Sequence, residues 1–115
     1  MTRHPRTRLD HVHNSVGIAQ LALQQIQDQL GSESDAQDLA EILRELHDQD
    51  HRQDGLFGSL AQLLTVAAQP AGGIYPDREY EIARPLHDAA KLITERAGLE
   101  LASATRALDP QGEFA

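Results

Sequence analysis

The chain has 115 residues, room for one hydrophobic core. Hydrophobic residues are 40% of it, but there are only two Phe, two Tyr and no Trp, so Leu and Ala must supply the packing. The absence of Cys excludes disulfide and thiolate chemistry, and a formal net charge of -8 argues against most of the surface meeting a polyanion.

Residues 1–9 are polar, basic and broken by Pro5, which predicts a disordered basic arm. Arg3, Arg6 and Arg8 against Asp10 give residues 1–10 a net +2. From Asp10 the pattern changes. Val12, Val16, Ala19, Leu23, Ile26 and Leu30 step by fours and threes, the spacing of one helix face, and Gly31 follows as a C-cap residue. A first helix is predicted over 10–30.

Ser34 and Gln37 have the spacing of a capping box, which starts a second helix with Leu39, Leu43 and Leu46 on its seam. Continued at the same step, the seam passes through Asp50 and Gln53 and then regains Phe57, Leu60, Leu64 and Ala67. Two readings follow: one rod to Ala68 with a polar middle, or two helices split at Gly55. Gly costs about 1 kcal/mol inside a helix, and Gly55 and Gly58 lie close together. The favoured expectation is a preserved direction with a weak point at Gly55.

Gln69 to Pro76, with Pro70, Gly72-Gly73 and Pro76, is the clearest loop. A long helix is predicted over 77–108, with Asp77 as its N-cap and Ile82, Leu86, Ala90, Ile93, Ala97, Leu101, Ala104 and Leu108 on one stripe. Pro85 is an expected kink and Gly98 a second soft point. Residues 109–115 read as a flexible tail after a single helical domain over 10–108.

The fold class is therefore all-α: an elongated antiparallel hairpin or bundle of three long helices, four if broken at Gly55, with coiled-coil-like packing. In that hairpin Leu60 lies near Pro85 and His47 near Gly98. The short link after Leu30 lays the first helix along the first half of the second, leaving the loop-proximal end without a third helix. Phe57, Leu60, Leu64, Ile82 and Leu86 are then candidate interface residues. Two such ends pair as a homodimer, or else the chain folds back at Gly55 into a monomeric four-helix bundle.

Between Glu33 and Asp54 eight acidic residues face only Arg44 and Arg52, a local net charge of -6. Within this stretch His47 and His51 are four apart, a helical spacing that brings two imidazoles to one divalent metal, with Asp54 or Glu95 as a carboxylate and His11 and His13 at the same level. The pair lacks the Glu of HExxH, and no EF-hand spacing is present. There is no G-x-S-x-G and no phosphate loop, so no catalytic residue and no cofactor is expected. Nucleic acid has only Arg3, Arg6 and Arg8 to meet, without an aromatic platform.

No apolar run approaches the ~18 residues of a membrane span and no h-region follows Met1, which predicts a cytoplasmic protein. The functional expectation is a non-enzymatic, homodimeric protein–protein interaction module, regulatory or assembly-related. A metal-binding bundle using His47 and His51 is the alternative, and a nucleic-acid accessory protein the weaker one.

Overall fold

A computed structural model describes residues 4–31, 35–48 and 50–110, with side chains from Thr7 onward. Every regular element among them is helical. Contacts divide the chain into two compact units, Met1–Ser34 and Asp35–Ala115.

The first unit is one helix, α1, His4–Gly31. It starts six residues before the expected Asp10, because Pro5 falls in the first turn, where a missing N–H breaks no helical bond. Residues 4–9 of the expected disordered arm are thus helical, while residues 1–3 lie outside the described residues. The helix ends at Gly31, as the C-cap signal predicts.

The second unit begins with α2, Ala36–Leu46. Its N-cap is Asp35, whose carboxylate accepts the Asp38 N–H at 2.8 Å. The expected cap at Ser34 lies outside the described residues. A carboxylate at the positive end of the helix gains from the dipole as well as from the hydrogen bond.

The polar stretch that follows is not helical, and its own side chains account for that. Continuing the helix would send the Asp50 N–H to the Leu46 carbonyl. Instead Asp48 Oδ1 accepts it at 3.0 Å, an Asx turn, and the His51 and Asp54 N–H groups bond the Asp48 and His51 carbonyls at 3.1 and 2.9 Å. The chain then returns to where it left. Gly55 has φ +40° and sits so close to the end of α2 that a Cβ there would be 2.9 Å from the Leu46 carbonyl oxygen.

The described residues between Leu46 and Leu56 therefore form a looped-out excursion, after which α3 covers Leu56–Ala68. The rod is broken, but its course is kept. Helix α3 packs on α5, Glu79–Lys91, while α2 packs on α6, Gly98–Leu108. Few contacts join α2 to α3, so α3 does not fold back on α2.

The connection between the arms is more ordered than a plain loop. A helical turn, α4, spans Ala71–Ile74 and buries Ala71; a 3-10 turn, Pro76–Arg78, precedes α5. The long helix starts at Glu79 with Arg78 at its N-cap, one residue after the expected cap Asp77. It runs through Pro85, which has no N–H to give the Glu81 carbonyl, and turns π-helical at Leu92–Ala97 before leading into α6. That segment ends at Gly98, the second predicted soft point.

The core consists of small residues. Among the described residues the buried apolar side chains are Ala40, Ala61, Ala68, Ala71 and Ala90, and no large side chain is fully buried. On α3 the buried positions are Gly58, Ala61 and Ala68, one residue out of phase with the expected seam of Phe57, Leu60, Leu64 and Ala67. Small side chains let two helix backbones approach closely, while at Gly58 it is the excursion loop that comes close. A Cβ there would lie 2.5 Å from the Arg52 carbonyl oxygen, so the excursion loop rests directly on α3.

Helix α6 is tied to α2 at its far end. Asp109, placed in the expected tail, is instead buried, and its carboxylate lies 3.8 Å from the Arg44 guanidinium. The rest of that tail, 111–115, lies outside the described residues.

Candidate interaction face and polar cleft

The out-of-phase core turns a leucine stripe outward. Helical spacing places Leu56, Leu60, Leu63 and Ala67 together, at steps of four, three and four, on the side of α3 opposite Gly58 and Ala61. All four are exposed, Leu56 by 40%, Leu60 by 45% and Leu63 by 60%. Val66 flanks them and is exposed too.

This face carries no charge. From Gly55 to Pro76 the chain has no Asp, Glu, Lys, Arg or His, although charged residues make up 24% of the whole. The polar residues inside α3, Ser59, Gln62 and Thr65, are all uncharged, and Thr65 directs its hydroxyl to the Ala61 carbonyl at 3.0 Å. Of the five residues expected at an interface, Leu60 stands on the outward stripe. Phe57, Leu64, Ile82 and Leu86 are half-buried.

The His47 and His51 pair does not share a helix face. Helix α2 ends at Leu46, and His47 follows in extended conformation, φ -155° and ψ 122°, with its N–H bonded to the Leu43 carbonyl. Its ring is 3% exposed and lies on Gly98, where a Cβ would come within 2.6 Å of the imidazole; Phe57 borders it at a ring separation of 6.1 Å. The expected hairpin register, His47 against Gly98, is the one observed.

His51 is exposed in the excursion loop, with Nδ1 3.4 Å from Asp48 Oδ2. The backbone N–H of Asp50, with smaller help from His51, holds the Asp48 carboxyl below its ordinary range. Among the described residues no group of three or more His, Asp or Glu side chains could surround a metal ion. The helical spacing that motivated a two-histidine site is thus absent, since the helix ends at Leu46, before both residues.

A second feature, unmarked in the sequence, lies between α3 and the long helix. Gly58, Ala61 and Ala90 contribute to a cleft of about 490 Å³ whose polar lining includes Arg52, Gln53, Gln62, His87, Lys91 and Glu95. His87, Lys91 and Glu95 recur every four residues, the last inside the π-helical segment. Arg52 arrives from the excursion loop. Only the close seating of that loop on Gly58 places it here, so sequence spacing gave no signal.

No helix among the described residues is long and apolar enough to cross a membrane. No family model, curated protein or solved structure matches this chain.

Proposed function

We propose that the protein is a non-enzymatic helical interaction module that acts as a homodimer, using the outward face of α3 as its self-association surface. The observation that carries this reading is the uncharged stripe of Leu56, Leu60, Leu63 and Ala67, exposed on a unit whose buried apolar side chains among the described residues are all Ala. Leucine side chains left in water give up about 1.5–3 kcal/mol each relative to full burial. A surface of this kind gains by being covered.

A second copy suits the charge pattern. Two chains of net charge -8 repel one another over most of their surfaces, and an uncharged face is where they can approach without opposing like charges. The stripe has the four-three-four spacing of a helix seam, so the same face on a partner can interdigitate with it about a two-fold axis. Regulation or assembly through a further protein partner is the role that a dimeric module of this kind would serve.

Because the chain has no Cys, a single introduced thiol reports the contact cleanly. Ala67→Cys on α3 is expected to form a disulfide-linked dimer under mild oxidation, while Glu100→Cys on α6 stays monomeric. Equal, slow cross-linking of both variants would contradict the assignment of the face.

A further inference from the structure

We infer that the cleft between α3 and the long helix binds the phosphate group of a small phosphomonoester, a role separate from self-association. Three of the arginines are already committed to carboxylates. Arg44 pairs with Asp109, Arg78 with Glu81 at 3.0 Å and Arg84 with Asp88 at 3.6 Å. Among the described residues of the unit Asp35–Ala115, Arg52 and Lys91 have no ion-pair partner, although the chain is strongly acidic, and both line the cleft. Arg96 and Arg106, likewise outside any ion pair, do not line it.

The donor set matches a phosphate better than a carboxylate. A guanidinium offers a two-pronged donor, an ammonium a point charge, and His87 and the Gln53 and Gln62 amides supply further N–H groups. Two cations balance a phosphate dianion, whereas a carboxylate needs one. Glu95 is the one acid in the lining. One turn after Lys91 on the long helix, it is suited to accept a hydrogen bond from a hydroxyl on the organic part of the ligand, which favours an ester over free phosphate. The Thr65 and Thr94 hydroxyls donate to the Ala61 and Ala90 carbonyls and so serve the wall.

One feature seats the backbone of the cleft and a second marks its wall. The Arg52 and Gln53 backbone lies against Gly58, where a Cβ would come within 2.5–2.6 Å, so the loop carrying Arg52 is seated on α3. The wall opposite contains the π-helical segment Leu92–Ala97, an irregularity that recurs at functional sites.

The test is titration of the full chain with glycerol phosphate, followed by amide chemical shifts and calorimetry, with inorganic phosphate and acetate as further arms. Expected are saturable shifts at 52–62 and 87–95, a dissociation constant at least tenfold lower for glycerol phosphate than for acetate, and at least tenfold weaker binding in Arg52→Ala and in Lys91→Ala with unchanged melting temperatures. Gly58→Ala, which displaces the loop, should weaken binding while both cations remain. Absence of saturable shifts in the millimolar range, equal response to acetate, or full binding by an Arg52→Ala, Lys91→Ala double variant would overturn the inference. Tighter binding of inorganic phosphate than of the ester would overturn the role given to Glu95.

Discussion

Replacing Leu60 by Asp separates the proposed self-association surface from the fold. In the protomer Leu60 is already 45% exposed, so the substitution forfeits about half of a Leu transfer energy, roughly 1 kcal/mol. The lower helix propensity of Asp adds about half a kcal/mol. The protomer should stay folded. In the dimer the loss is of another order, since two-fold symmetry brings two carboxylates to the interface, each costing several kcal/mol to desolvate. Taken as at least ~6 kcal/mol for the pair, this weakens the dimer by about four orders of magnitude at 1.4 kcal/mol per decade. Leu60→Ala should weaken it only about thirtyfold, from roughly 1 kcal/mol of lost burial per copy. Light scattering on size-exclusion fractions, with circular dichroism as the folding control, reads both effects. A Leu60→Asp variant with native helicity and an unchanged dimeric mass would refute the reasoning.

Three further outcomes test the protomer. Gly98→Val should lower the melting temperature markedly, because even a Cβ meets the His47 ring at 2.6 Å, and overpacking of this kind costs about 1–3 kcal/mol. Gly73→Ala, with open space around its Cβ, is the matched control. Asp109→Asn should cost about 1–3 kcal/mol in urea unfolding by removing the carboxylate that the Arg44 guanidinium faces. The lowered Asp48 pKa makes the charged form favour the folded state. Its contribution is present above the unfolded carboxylate value and is lost as pH falls through the folded one, below about pH 4. Since Asp48 is largely solvated, the effect is a fraction of a kcal/mol, and Asp48→Asn should flatten the acid limb of a stability–pH curve by that amount.

The sequence showed the helices and their antiparallel course because these depend on periodicity and punctuation. Gly31 closed α1, and equal arm lengths set His47 against Gly98. The break after Leu46 was harder to read, since the seam continues numerically through Asp50 and Gln53. What decides it is a competition the period does not record: Asp48 captures the N–H that the helix needs. The core phase was misjudged for a related reason. On α3 Leu56, Leu60 and Leu63 step by four and three and Gly58, Ala61 and Ala68 by three and seven, both spacings of a single helix face, and hydrophobicity alone selects the larger side chains. Close backbone approach selects Gly58, Ala61 and Ala68 instead.

The polar cleft had no signature along the chain because its parts come from three segments. Arg52 is in the excursion, Gln62 is on α3, and His87 with Lys91 is on α5. The π-helical segment is equally silent in Leu92–Ala97, whose residues are ordinary for an α-helix. The metal reading of His47 and His51 was legible in the sequence and lost its basis in the structure, as both residues lie beyond the end of α2.

The central claim, that the uncharged face of α3 is covered by a second copy, is tested most directly by sedimentation equilibrium of the wild-type chain across the micromolar range. The account predicts a reversible monomer–dimer equilibrium that strengthens or holds as salt is raised, since burial of Leu56, Leu60 and Leu63 drives it while like-charge repulsion opposes it. A monomeric mass at every concentration, or a dimer that dissociates in high salt, would contradict it.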